Sequence, residues 1–303
     1  MKLWELADRG AVLLTQGHLK APECLAWRAD GKQIASGAAD TTARLWDAQT
    51  GTELEVLRGH KADVNALCYL LGGTQVMTCG RDSGLRVWDT STGREIAMFS
   101  GPASPGPVMV VTREGKVALW TNASLTSEIQ VFDPTTGDKI KSMPVHERGT
   151  ACQAFSPDGS IGVVGDRGGA VRFWNLLTNE RIGGDLAAHK SIADLAITND
   201  QQVLVTGGDD GEIKIWNGKA RTLLHTVSAH TERVSSISLR PDGKRFLSSG
   251  ADHCVKLWDT ATGKELRSWK NVAANAVLFS PDGKLGVTAN HDTTLYLLDC
   301  NVN

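Results

Sequence analysis

The sequence predicts an all-β protein made of seven repeats, each of four antiparallel strands. Three marks that recur in step along the 303 residues carry that prediction. Trp stands at positions 4, 46, 88, 174, 216 and 258, and Phe132 and Leu298 fill the gaps in the series. Successive spacings are 42, 42, 44, 42, 42, 42 and 40. Turn-forming pairs between short apolar runs keep the same beat: ADG (29–31), GG (72–73), EG (114–115), PDG (157–159), ND (199–200), PDG (241–243) and PDG (281–283). A DxxTG turn follows the marker residue at Asp47, Asp89, Asp133 and Asp259. A fixed period of this length decides the architecture before local propensity does, and the tight turns are hairpin signals.

Each unit reads as strand, tight turn, strand, loop, strand, turn, strand. The sixth shows all of it: VSSISL, PDG, RFLSSG, ADH, CVKLWD, TATG, KELRSW. The GH, PDG and W-D elements at this period resemble those of the WD-repeat β-propeller family, over essentially the whole chain. The resemblance implies one seven-bladed β-propeller, four antiparallel strands per blade, whose radial sheets close into a ring and so protect their edges. The blades are expected at 18–59, 60–101, 102–145, 146–187, 188–229, 230–269 and 270–300. Residues 11–16 align with an outermost strand (compare ELEVLRGH, 53–60), while the C-terminus supplies only NAVLF, KLGVTA and TLYLLD. The N-terminal strand is therefore expected to complete the last blade and close the ring. KLWEL (2–6) then becomes a surplus strand, left from a preceding blade of a longer parent protein.

Composition bounds the function. Apolar residues make up 41% of the chain and no charge block or low-complexity tail interrupts them, as in a globular protein. A net charge of −2 gives no bulk electrostatic case for nucleic acid. No stretch of 18 apolar residues occurs, and Glu5, Asp8 and Arg9 break any signal-peptide core. The six cysteines, at 24, 68, 79, 152, 254 and 300, lack CxxC spacing and fall mostly in strands. They read as buried thiols in a reducing, cytoplasmic setting.

Counting back from the marker Trp, a His recurs 28 residues earlier, a Ser or Thr 10 earlier and an Asp 6 earlier. The four sets are His18, Ser36, Asp40 and Trp46; His60, Thr78, Asp82 and Trp88; His189 (one residue late), Thr206, Asp210 and Trp216; His230, Ser248, Asp252 and Trp258. Ser, His and Asp together invite a hydrolase reading. An enzyme needs one active site, however, and this constellation occurs in four blades. The resemblance supplies the preferred role, a hydrogen-bonded structural tetrad within each blade, which satisfies a buried indole N–H and a buried hydroxyl. A second periodic feature is the basic residue two before the marker: Lys2, Arg44, Arg86, Arg172, Lys214 and Lys256. Spread one per blade, these make no nucleic-acid patch and are expected to lay their stems over apolar surface.

Binding is expected where the repeat departs from itself. In blade three SGPASPGP (100–107) replaces the GH, Trp120 is read at the hydroxyl position, and Thr126 at the acid position. The loop TNASLTSE (121–128) is two residues longer than its counterparts, and loops on a rigid scaffold are where binding sits. Trp120 itself is expected to be buried, refilling lost space. Blade four keeps His146 and Trp174 but has Val164 and Gly168 in place of hydroxyl and acid, and its GDRGGA lacks phosphate-loop spacing.

The resemblance further implies a docking face built from the loops before the first strand and between the second and third. The residues placed there are Asp63, Arg81, Arg148, Arg167, Ile192, Asp209, Glu232, Arg233 and His291. Arginine suits bidentate contact with carboxylate or phosphate. The expected function is thus a non-catalytic protein-interaction scaffold, a monomeric propeller without cofactor or metal, holding an acidic or phosphorylated peptide on that face. The alternatives are an enzyme or small-ligand propeller that uses its central channel, or a regulatory module cut from a larger signalling protein. Against the channel enzyme, the inner strands CLAW, VNALCY, PVMVV, ACQAF, DLAIT, SSISL and AVLF offer Asp194 but no His or carboxylate cluster with ligand spacing. Membrane and nucleic-acid partners are not expected.

Overall fold

A computed structural model describes residues 11–14, 17–102, 105–122, 127–146 and 150–301. Strand β1 is Ala11–Leu14. Blade one follows as β2 (Pro22–Trp27), β3 (Gln33–Ala38), β4 (Thr42–Asp47) and β5 (Glu53–Arg58), and blade two as β6 (Val64–Tyr69), β7 (Gln75–Gly80), β8 (Gly84–Asp89) and β9 (Glu95–Ser100). Blade three holds β10 (Pro105–Val111), β11 (Val117–Asn122), β12 (Ser127–Phe132) and β13 (Lys139–His146). Blade four holds β14 (Thr150–Phe155), β15 (Ile161–Asp166), β16 (Ala170–Asn175) and β17 (Glu180–Ala187). Blade five holds β18 (Ile192–Ile197), β19 (Val203–Gly208), β20 (Glu212–Asn217) and β21 (Thr222–Ser228). Blade six holds β22 (Val234–Leu239), β23 (Arg245–Gly250), β24 (Cys254–Asp259) and β25 (Glu265–Lys270), and the seventh β26 (Ala274–Phe279), β27 (Leu285–Asn290) and β28 (Leu295–Asp299).

Within each blade the strands pair antiparallel in chain order, and β1 joins the seventh sheet out of order, beside β28. The inner strands β2, β6, β10, β14, β18, β22 and β26 neighbour one another in turn, and β26 returns to β2, so the sheets form a seven-bladed propeller. Strand β1 lies along β28 in the register Ala11↔Leu298 to Leu14↔Leu295. Residues 1–10, including KLWEL and Lys2, lie outside the described residues.

The sequence explains the turns. In blade one the Asp47 carboxylate accepts the Gln49 and Thr50 N–H groups at 3.0 and 2.7 Å and the Thr50 hydroxyl at 2.9 Å. Gly51 then takes a left-handed φ of +72° and returns its N–H to the Asp47 carbonyl at 2.9 Å. A side chain there would be strained, which is why DxxTG ends in glycine.

The core lies between blades rather than within them. One cluster joins Ala35, Ala43, Leu45 and Leu57 of blade one to Val64, Leu67, Tyr69, Val76 and Trp88 of blade two. Each sheet is therefore covered on both faces, and third strands such as TARLWD and GLRVWD are buried almost throughout.

Blade three corrects the sequence reading. Ser36 pairs with Arg44, two before its Trp, whereas the residue paired with Gln130, two before Phe132, is Leu119. Leu119 holds the hydroxyl position, and Trp120, one further on, points the other way because side chains alternate along a strand. Trp120 is fully buried against blade four, stacked on Phe155 with ring centroids 5.4 Å apart. The extra residues of the 121–128 loop had displaced the count. Thr126, part of that loop, and residues 103–104 of the proline-rich segment lie outside the described residues.

Candidate functional site: the loop face and its polar networks

In blades one, two and six the expected four residues meet. Trp46 Nε1 donates to Ser36 Oγ at 2.8 Å, His18 Nε2 stands 2.7 Å from the same oxygen, and His18 Nδ1 reaches Asp40 at 3.1 Å. The distances in blade two are 2.8 Å for Trp88–Thr78, 2.8 Å for His60–Thr78 and 2.9 Å for His60–Asp82. In blade six they are 2.9 Å for Trp258–Ser248, 2.8 Å for His230–Ser248 and 2.9 Å for His230–Asp252. A carboxylate only accepts, so Nδ1 carries the proton in all three, and Nε2 accepts from the hydroxyl. Each Asp also accepts the N–H of the residue after the His, from Leu19 at 2.7 Å, Lys61 at 2.8 Å and Thr231 at 3.1 Å. The network thus pins the incoming loop to the turn between the second and third strands.

Burial opposes charge on Asp40, Asp82 and Asp252, yet hydrogen bonds from the histidine and nearby backbone N–H groups outweigh it and hold all three carboxyls below the usual range. Burial likewise pushes His60 and His230 down, against the upward pull of their aspartates.

Blade five departs. Trp216 Nε1 and His189 Nε2 both reach Thr206 Oγ1 at 3.0 Å, but His189 makes no hydrogen bond to Asp210. The expected fourth link is missing because His189 arrives one residue later than its counterparts, which tips the ring toward the Thr206 carbonyl oxygen, 3.3 Å from Nε2. His189 Nδ1 is buried without a hydrogen-bond partner. Burial first, and Lys214 second, lower the His189 pKa. His189, Asp210 and Glu212 nonetheless offer ligand atoms all within 4.8 Å of one another. Gly208 admits them: a Cβ there would sit 2.3 Å from Asp210 Oδ1 and 2.7 Å from His189 Nδ1. This cluster lies outside the inner strands, in positions where the sequence places His189 and Asp210 in a tetrad.

The predicted docking face is partly assembled. Arg81, with 60% of its side chain exposed, stands 3.8 Å from Glu23 and 3.7 Å from Asp63. Arg233, 59% exposed, pairs with Asp209 at 3.0 Å. Burial raises the Glu23 pKa, with Arg81 pulling the other way. Arg167, Glu232 and His291 are exposed. Ile192 is not on this face: it is 2% exposed and belongs to the apolar contact between blades four and five. It opens β18, and the one-residue shift at His189 turns it inward. Arg148 and the side chain of His146 lie outside the described residues.

Two features escaped the sequence reading. Among the basic residues two before a Trp, Arg44 pairs with Glu53, Arg86 with Glu95, and Lys256 with Glu265 at 3.1 Å. Arg172 grips Asp185 with two bonds of 2.9 and 3.0 Å. The signal was present, since Glu53, Glu95 and Glu265 each follow their Trp by seven residues. The other feature is a cavity of about 1070 Å³ on the opposite face, at the channel mouth, with residues from all seven blades in its wall, among them Leu25, Tyr69, Met109, Pro157, Asn199, Leu239 and Phe279.

Comparison with known proteins agrees with this architecture. The family model described as "WD domain, G-beta repeat" matches residues 10–47, 51–89, 137–175, 181–217 and 221–259, more than half of the chain. A Notchless protein homolog of Arabidopsis thaliana is 55% identical over 38 residues, which is 12% of this chain and 8% of that protein. The repeat matches and the seven radial sheets together place the chain in the WD40-repeat family.

Proposed function

We propose that this propeller is a non-catalytic protein-interaction scaffold whose loop face holds an acidic or phosphorylated peptide. WD40 propellers typically serve as interaction scaffolds and are usually non-catalytic. The observation that supports the finer reading is Arg81, whose guanidinium lies beside two carboxylates at 3.7 and 3.8 Å, beyond direct hydrogen-bond length. Exposed pairs of this kind contribute only about 0–1 kcal/mol. An incoming carboxylate or phosphate can therefore displace them and gain bidentate contact. Arg233 and Arg167 extend the same surface. The remaining elements of the proposal are a monomer in a reducing cytoplasm, with a ring held closed by β1. The six free cysteines accord with the compartment, and the β1–β28 pairing supports the closure.

Fluorescence polarisation against matched acidic, phosphorylated, neutral and basic peptides tests the reading, with the Arg81/Arg148/Arg167 triple alanine variant beside the parent. Selective binding of acidic or phosphorylated peptides that weakens in the triple variant is the expected result. Equal binding by parent and variant, or a preference for basic peptides, sinks it. The channel-mouth cavity favours a second reading, an apolar small ligand bound on the opposite face. Displacement of an environment-sensitive dye by such ligands, insensitive to the arginine variant, separates the two.

A further inference from the structure

We propose that His189 Nδ1, Asp210 and Glu212 form a binding site for a divalent transition-metal ion on the loop face of blade five. In the three complete networks Nδ1 faces a carboxylate and donates. In blade five Nε2 lies 3.3 Å from the Thr206 carbonyl oxygen, a pure acceptor, and 3.0 Å from Thr206 Oγ1, which already takes the Trp216 N–H. With no hydrogen-bond partner at Nδ1, the contact to the carbonyl assigns the proton to Nε2, and the neutral ring presents Nδ1 as a bare lone pair. That nitrogen is buried and has no hydrogen-bond partner.

What faces it deepens the mismatch. Two carboxylates, Asp210 and Glu212, bring oxygen atoms to within 4.8 Å of Nδ1 and of each other. Three electron-pair donors that converge without a proton between them repel one another, and a cation resolves the repulsion. Lys214 does not serve, because its ammonium is held on the Ala188 carbonyl at 2.8 Å. Glu212 is peculiar to this blade: the residue two after the aspartate is Thr42, Gly84 or Cys254 in the complete networks. Blade five has thus lost the His–Asp hydrogen bond and gained a second acid at the same place.

The donor set names the ion class. One imidazole nitrogen and two carboxylate oxygens suit zinc and its first-row neighbours better than magnesium or calcium, which take oxygen ligands only. Three protein ligands leave a coordination position open toward solvent, since Asp210 is exposed and Glu212 half-buried.

Isothermal titration of the untagged full chain with zinc chloride tests the site, in a Cys254→Ser background that removes the one partly exposed thiol among the described cysteines. One equivalent is expected to bind. Glu212→Gln and Asp210→Asn should each weaken it by roughly tenfold or more, as loss of a metal-site partner does. Glu232→Gln, a nearby exposed acid outside the cluster, should leave it unchanged, and magnesium should not compete. Glutamine matches the half-buried Glu212 in shape, so circular dichroism should show its variant folded. Absence of saturable zinc binding, or equal affinity in the parent and both cluster variants, overturns the proposal. Effective competition by magnesium overturns the ion class.

Discussion

Ser248→Ala isolates the contribution of one complete polar network. Ser248 is fully buried, accepts the Trp258 indole N–H at 2.9 Å and lies 2.8 Å from His230 Nε2. Alanine removes the oxygen with almost no change in volume, so the cost is two buried polar atoms left unpaired. Each such atom costs about 1–3 kcal/mol, and partial relaxation puts the pair near 3 kcal/mol. Unfolding entropy of about 2.1 cal/mol/K per residue, over the whole chain, converts this to a fall in melting temperature of roughly 5 °C. Thr206→Val in blade five, which keeps the buried methyl, should cost about half as much, because His189 Nε2 keeps the Thr206 carbonyl and only the Trp216 indole loses its partner. Differential scanning calorimetry of the two variants supplies both numbers. If Ser248→Ala melts within a degree of the parent, or no lower than Thr206→Val, the network does not constrain the blade.

Three further outcomes follow from the same geometry. Glu95→Ala should destabilise by about 1–2 kcal/mol in chemical denaturation, because it strands the Arg86 guanidinium, which is 6% exposed, while the partly solvated Glu95 tempers the loss; replacing both residues by apolar ones should recover most of it. Deleting residues 1–16 should expose the free edge of β28 and yield a lower melting temperature and aggregates by light scattering, since β1 pairs along that edge. Thermal stability should fall as pH drops through about 6.5, because burial holds His60, His189 and His230 below that value and the unfolded chain binds the protons first. It should fall again below about 3.8, where the unfolded chain takes up protons that the folded Asp40, Asp82 and Asp252 carboxylates resist. Asp194, pushed up to about 6 by burial, works in the opposite direction between those limits, so Asp194→Asn should steepen the first decline.

The period carried most of the fold because one side-chain pattern repeats with one backbone pattern. Turns such as Asp47–Gly51 were legible because their residues answer local needs. What the count missed were positions where one residue more or less changes a side chain's direction. Trp120 was assigned to a hydroxyl position that Leu119 holds, and Ile192 to a face from which it turns away, both from small shifts in loop length. The Arg–Glu pairs are regular in sequence, but that their side chains meet depends on the register between third and fourth strands, which spacing alone does not give. The three-donor cluster in blade five had no sequence signature of its own. His189 and Asp210 fit the repeat within one residue, and only the tilt of the ring separates a tetrad from an unpaired nitrogen.

The distribution of polar links around the ring has a mechanical logic. Blades one, two and six hold complete networks, while three, four and five do not. In blade four Val164 stands where the hydroxyl would be, and Trp174 Nε1 has no partner. Blade three fills the space with Leu119 and Phe132, and its neighbour contact with Trp120 and Phe155. The complete networks therefore flank blade seven, which has Leu298 in place of the Trp and a Thr288 hydroxyl without a partner. Blade seven is instead tied from both sides. Ser238 Oγ accepts the Phe279 N–H at 3.0 Å, Arg267 donates to the Asp299 carbonyl at 2.9 Å, and Arg245 to that of Cys300 at 3.2 Å, all from blade six. Trp27 of blade one adds a long bond of 3.4 Å to the Leu278 carbonyl. Directional bonds resist shear between sheets better than apolar contact, which slides at little cost. The arc of blades three to five has such bonds too, from Lys141 to the Leu176 carbonyl at 2.9 Å and from the Asp158 N–H to Asn199 at 2.8 Å, and they couple its sheets beneath the loops that diverge. That arc is also where the long loop, the proline-rich segment and the His189 cluster are found.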